Sequence, residues 1–153
     1  MMKEARSWLV CALVAHVAVL WPVVALGEQV VGETIATPVT VLVGTVTLVT
    51  VTSKIEERSL LPASVNLQRL DSAGRVAETL GTLVDDGTAG DVTAGDKTFT
   101  IQTKFHETTP GPVRLRVSAA FAGRLVRSYS VPFTITAVSP GSDVNAPAPG
   151  VLR

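Results

Sequence analysis

The chain has few of the residues that usually form covalent cross-links or carry out catalysis. Of its 153 residues one is cysteine and two are histidine, and aromatic residues make up only 5%. A lone cysteine excludes a disulfide within the chain, so a folded domain depends on its apolar core. Basic and acidic residues number 13 each. This balance argues against nucleic acid as a partner, because such binding needs a clustered basic excess.

The N-terminal segment has the pattern of a secretory signal peptide. Lys3 and Arg6 supply a positive start, and the residues from Leu9 to Leu26 are almost all apolar. Ala25 and Gly27 place small residues at the −3 and −1 positions of a cleavage site. These features predict export of the chain.

We therefore predict a signal peptide at 1–27 and an exported chain that begins at Glu28, in the periplasm, on the cell surface or outside the cell. The alternative is an uncleaved segment that holds the chain to a membrane, since about 18 apolar residues can span a bilayer. Cys11 lies inside the segment, so the cleaved chain would contain no cysteine.

Apolar and polar residues alternate in several segments between 28 and 138, as half-buried strands require. The clearest inward face comprises Val113, Leu115, Val117, Ala119 and Phe121, with Arg114, Arg116 and Ser118 facing outward. About seven such segments, separated by turn residues, predict an all-β fold: an immunoglobulin-like antiparallel β-sandwich over 28–138. Residues 139–153 are rich in Pro, Gly, Ala and Ser and predict a disordered tail.

Four local features carry finer expectations. Val30-Val31 suggests a first edge strand, and 54–58 is the one place where a helical turn is plausible. The change of parity at Leu48-Val49 predicts a bulge or burial on both faces. The segment 125–137 predicts a closing strand with Tyr129 facing inward and Pro132 marking a sheet edge.

The sequence offers little for catalysis. His106 and Glu107 begin like a zinc-protease helix, but Pro110 stands where the second histidine is needed and would break the helix. Asp85 and Asp86 are adjacent, so their side chains point apart, and a glycine-rich loop does not bury a catalytic acid. We predict no enzymatic activity and no cofactor, with calcium as the one exception considered below.

An acidic loop separates the strand patterns. It contains Asp85, Asp86, Asp91 and Asp96, and Thr-Ala-Gly-Asp occurs twice within it, at 88–91 and 93–96. One interpretation is a series of turns in which each aspartate accepts hydrogen bonds from nearby backbone amides. The other is a calcium site, because calcium prefers six to eight hard oxygen ligands. We favour the first interpretation.

Four arginines, Arg114, Arg116, Arg124 and Arg127, fall on one predicted hairpin. They form either a solvated sheet face that discourages aggregation or a basic patch for an acidic protein or polyanionic glycan. No aromatic residues are interleaved with them in the manner of nucleic-acid stacking sites.

The run from Leu83 to Phe99 resembles a loop common in immunoglobulin-like modules of bacterial secreted and surface proteins. In those modules a strand ends in Asp-Asp-Gly, two Gly-Asp turns follow and an aromatic residue opens the next strand, as at 85–87, 90–91, 95–96 and Phe99 here. Lys97 stands where such modules often have glycine. The resemblance covers mainly 76–105 and extends loosely to about 137.

Such modules are usually accessory or adhesive. The resemblance implies a non-catalytic secreted or cell-envelope module with a structural or protein-interaction role, whose partner is an envelope or extracellular protein or a glycan. The alternative function is a calcium- or carbohydrate-binding accessory domain.

Overall fold

The computed structural model describes residues 30–141. The predicted signal peptide at 1–27, and all but the first three residues of the predicted tail, lie outside the described residues. The described residues contain nine strands: β1 (Thr34–Thr37), β2 (Thr40–Leu42), β3 (Thr47–Lys54), β4 (Asn66–Leu70), β5 (Val76–Thr82), β6 (Thr98–Phe105), β7 (Gly111–Ala119), β8 (Ser128–Tyr129) and β9 (Phe133–Val138). A 3₁₀ helix covers Pro62–Ser64. Between residues 30 and 141, no helix is long and apolar enough to cross a membrane.

The strands form two sheets. The smaller sheet has the order β1-β3-β6, and the larger has the order β2-β9-β7-β4-β5, with β8 pairing with β7. Each described strand pair is antiparallel except β2 with β9, which is parallel. The prediction of an all-β fold is confirmed. The fold differs in having nine strands rather than about seven and in including one parallel pair.

One apolar core lies between the two sheets. Val49 and Val51 of β3 face Leu115 and Val117 of β7, and all four side chains are fully buried. Burying a side chain of this size stabilises a fold by about 1.5–3 kcal/mol. The alternating pattern of β7 therefore places its apolar residues as the sequence predicts. Ser118 is an exception, because it is buried although it lies on the opposite face.

Three local expectations were wrong. Val30-Val31 forms a bend instead of a strand, although Val31 is buried in the core, and 54–58 contains no helical turn. The pairing of β3 with β6 runs without interruption from Thr47 to Lys54, so there is no bulge at Leu48-Val49. Leu48 is instead an apolar residue on the outer face of the smaller sheet, where 51% of its surface is exposed.

The expected closing strand at 125–137 is broken in the structure. Its first residues belong to a loop, β8 contains only Ser128 and Tyr129, and β9 begins at Phe133. Pro132 has no amide hydrogen to donate, which prevents a continuous ladder at this point. Tyr129 is 45% exposed, so its predicted inward orientation was wrong.

Three loops meet at one end of the sandwich, and we call this surface the loop end. It comprises residues 55–65, 83–97 and 120–127. The amide of Ile55 donates to the carbonyl of Lys97 at 3.0 Å, and the amide of Ala122 donates to the carbonyl of Ser59 at 2.7 Å. These hydrogen bonds connect the central loop to each of its neighbours.

Candidate functional site

The acidic loop joins β5 of the larger sheet to β6 of the smaller one, and both of its ends are anchored. The buried Leu83 donates its amide to the carbonyl of Val65 at 2.8 Å. Val84 and Thr100 exchange two backbone hydrogen bonds of 2.8 Å each. Phe99, the second residue of β6, is buried in the core. The loop is therefore held at fixed points on both sheets.

Asp85 organises the end of this loop. One of its carboxylate oxygens accepts hydrogen bonds from the amides of Gly95 at 2.8 Å and Asp96 at 3.2 Å. The other accepts from the amide of Lys97 at 3.0 Å. Three consecutive amides thus converge on one carboxylate, which offsets its negative charge and closes the loop.

The other three predicted aspartates share one local motif. Each begins an Asp-x-Thr turn, in which its carboxylate accepts a hydrogen bond from the amide of the threonine two residues later. The distances are 2.9 Å for Asp86, 3.4 Å for Asp91 and 2.8 Å for Asp96. This is the hydrogen-bonded turn that the aspartate-and-glycine composition predicts. Asp-x-Thr recurs every five residues, at 86–88, 91–93 and 96–98. This repeat, rather than the two copies of Thr-Ala-Gly-Asp, is the sequence signal for the three turns.

The two Thr-Ala-Gly-Asp copies are not equivalent. Asp91 is buried, and its second carboxylate oxygen accepts from the amide of Gly87 at 2.7 Å, whereas Asp96 is exposed. Lys97, the residue after Asp96, has a φ of 68°. A side chain therefore occupies the left-handed conformation for which glycine is usually used.

Asp85, Asp91 and Asp96 come together, while Asp86 lies outside this group. Each of the three offers a carboxylate oxygen within 4.8 Å of the others. Carboxylate oxygens are among the ligands that calcium prefers. Both oxygens of Asp85 and both of Asp91, however, already accept hydrogen bonds from the loop's own backbone.

We expect the loop to be complete without an ion. Replacing Asp91 with alanine should lower the free energy of unfolding by about 1 kcal/mol, because the principal loss is the hydrogen bond from Gly87. The melting temperature should be the same in millimolar calcium and in chelator. A calcium-dependent rise of several degrees that disappears in the Asp91→Ala, Asp96→Ala double variant would contradict this expectation, since a ligand of the folded state stabilises it by mass action.

The structure places the four arginines considered as a basic patch in different surroundings. Arg124 lies 3.9 Å from Glu57 and over the ring of Phe121. Arg127 donates to the hydroxyl and carbonyl of Ser118 and to the carbonyl of Ser64. Arg114 and Arg116 remain on the outer face of the larger sheet. The four therefore do not form a single patch.

Sequence reasoning also missed an ion pair at the other end of the sandwich. Glu107, considered only as part of a failed zinc motif, is buried and accepts two hydrogen bonds from Arg69, of 2.8 and 2.6 Å. Its neighbour His106 is exposed just beyond the end of β6. Within residues 30–141, every buried side-chain nitrogen or oxygen has a hydrogen-bond partner.

Apolar side chains are exposed on all three loops of the loop end. Leu125 and Val126 are 104% and 78% exposed, Val92 is 94% exposed and Leu61 is 48% exposed. Removing these side chains would not disturb the core. They leave an apolar surface available to another molecule.

Comparison with protein-family models and with curated proteins gives no match to this chain.

Proposed function

We propose that the chain is an exported, non-catalytic module with an immunoglobulin-like fold that binds a protein of the cell envelope or the extracellular space. The strand order supports the fold. Immunoglobulin domains place strands A, B and E in one sheet and strands C, F and G in the other. With β1, β3 and β6 as A, B and E, and β4, β7 and β9 as C, F and G, the two sheets have this composition.

The position of β5 adds to this support. It pairs with β4 at the edge of the larger sheet, where variable-type domains have an additional strand beside C. The N-terminal signal pattern supports export, and the resemblance of the acidic loop to those of secreted modules agrees with it.

The exposed apolar residues of the loop end carry the interaction role. Soluble proteins seldom gather large exposed apolar side chains at one place unless another surface covers them. Leu125 and Val126 are the most suitable contacts because they project from a loop that Arg127 fastens to β7.

Photo-crosslinking in the producing cell tests this role. A photoreactive residue at position 125 should give a discrete protein adduct, and N-terminal sequencing of the recovered chain should begin at Glu28. Replacing both Leu125 and Val126 with serine should abolish recovery of that partner without changing the melting temperature, since neither side chain is buried.

Val46 provides the matched control. It is 58% exposed but lies at the opposite end of the sandwich, directly before β3. A photoreactive residue at position 46 should give no such adduct, and Val46→Ser should leave recovery unchanged. Equal adducts from both positions would contradict a binding role for the loop end, and an intact Met1 on a cytoplasmic product would contradict export.

Calcium binding is the second candidate function. The convergence of Asp85, Asp91 and Asp96 favours it, and the calcium-dependent melt described above decides it.

A further inference from the structure

The strands of the larger sheet place charge of one sign on its outer face. Asp71, in the turn after β4, lies near this face, and hydrogen bonds from Arg75 together with the charge of Arg114 lower the pKa of its carboxyl. Residues paired directly across strands share a face. Arg116 of β7 pairs with Gln68, and Arg114 pairs with Thr134. Arg69 and Glu78 pair with each other and belong to the opposite face, because Arg69 also pairs with the buried Leu115. Arg114 and Arg116 are therefore the charged residues that the strands of this sheet place on its outer face.

Arg116 is held in one orientation. Its Nε donates to the side-chain oxygen of Gln68 at 2.9 Å, and its guanidinium carbon lies 4.0 Å from the centroid of the Tyr129 ring. These contacts leave its two terminal amino groups available, and no carboxylate of the described residues lies within 4.0 Å of them. A planar guanidinium group fixed in this way is suited to binding an anionic ligand, because little side-chain conformational entropy is lost on binding.

Two further guanidinium groups, those of Arg114 and Arg127, lie on either side of Arg116, and we call the three groups the row. Arg114 makes only a long hydrogen bond, of 3.4 Å, to the carbonyl of Ser72. Arg127 places its Nε 2.6 Å from the hydroxyl of Ser118, the next outward residue along β7. Alternate residues of a strand are about 7 Å apart. Arg114 and Arg116 therefore lie about one such step apart on β7, and Arg127 reaches the next outward position from the loop at 120–127, where it also donates to the carbonyls of Ser64 and Ser118.

The row has mainly polar neighbours. Its neighbours include Asn66, Gln68 and Thr134. Among residues 30–141 the one exposed aromatic ring is that of Tyr129, which is already in contact with Arg116. Protein interfaces usually depend on apolar or aromatic anchors that fill pockets. A surface of cations and neutral hydrogen-bonding groups is better suited to a hydroxyl-rich polymer that carries carboxylates.

We propose that this face, centred on Arg114, Arg116 and Tyr129, binds an acidic polysaccharide built from uronic acid units. The arginines bind the carboxylates, and the polar side chains beside them bind sugar hydroxyls. The inference extends the proposed function as an interaction module, but it concerns a different surface from the loop end.

The test measures binding of the full chain to polygalacturonate by isothermal titration calorimetry, with dextran as the neutral control and poly-L-glutamate as the acidic-peptide control. We expect polygalacturonate to bind most tightly, with an affinity that falls as salt rises. Arg114→Gln with Arg116→Gln should weaken binding by about tenfold or more, since each change removes a charge-assisted hydrogen bond. Arg116→Lys should also weaken it, because lysine keeps the charge but loses the planar fork.

Arg58→Gln is the matched control. Arg58 is an exposed arginine of the loop end, so its replacement removes the same charge at a different place. We expect it to leave affinity unchanged, and all variants should keep the wild-type melting temperature. An equal loss from Arg58→Gln, tighter binding of poly-L-glutamate, or no binding of polygalacturonate would overturn the proposal. None of these results depends on Leu125 or Val126, so a failure here is distinguishable from a failure of the loop-end interaction.

Discussion

Replacing Phe121 with alanine should lower the free energy of unfolding by about 3–5 kcal/mol. The ring is 2% exposed, and Phe121 pairs with Leu60 just beyond the end of β7. The change would leave a cavity where the loop at 55–65 meets the loop at 120–127, because the backbone on both sides is held by hydrogen bonds and cannot collapse freely. Urea denaturation followed by circular dichroism measures the loss.

Two further substitutions calibrate this result. Leu125→Ala, in the same loop but at a fully exposed residue, should change stability by no more than about 0.5 kcal/mol. The parity of the sequence alone predicts the same 3–5 kcal/mol for Phe133→Ala as for Phe121→Ala. Because Phe133 is only partly buried, the structure predicts a smaller loss. A loss below about 1 kcal/mol for Phe121→Ala would show that this ring does not belong to the core.

Replacing Arg69 with alanine should cost about 2–4 kcal/mol, which is below the upper range for a fully buried pair because the Arg69 side chain is 33% exposed. The substitution leaves Glu107, 9% exposed, without its two hydrogen bonds and without a compensating charge. The same hydrogen bonds raise the pKa of the Arg69 guanidinium. Thermal and urea melts at neutral pH measure the effect.

The nearby pair of Arg75 with Asp71 supplies the control. The Arg75 side chain is 80% exposed, so Arg75→Ala should have no measurable effect through the lost ion pair. The combined change Arg69→Met and Glu107→Leu should recover much of the stability, because it removes both charges together. Equal losses for Arg69→Ala and Arg75→Ala would contradict a special role for the buried pair.

The strands that the sequence predicts well are those with uninterrupted alternation. In β6 and β7 the period of two is a property of the local backbone, and burial of every second apolar residue follows from it. The same reasoning fails at Tyr129. The exposed loop before β8 and Pro132 after it both interrupt the strand, so the alternation of inward and outward residues does not continue across them. A pattern that spans a break cannot indicate which face continues on the other side.

In the acidic loop too, the local contacts could be predicted from the sequence and the long-range contacts could not. Its turns could be predicted because an aspartate reaches an amide two residues ahead whatever the rest of the chain does. The three amides bound by Asp85 lie 10 to 12 residues away in sequence, and no local rule connects them.

The sequence by itself therefore determined the all-β class, the inward face of β7 and the turn-forming character of the acidic loop, because each depends on neighbouring residues. Only the tertiary structure decided which strands share a sheet, that Glu107 meets Arg69, and that Arg116 lies against Tyr129. Those contacts join residues far apart in the chain, and their formation depends on how the two sheets pack around the common core.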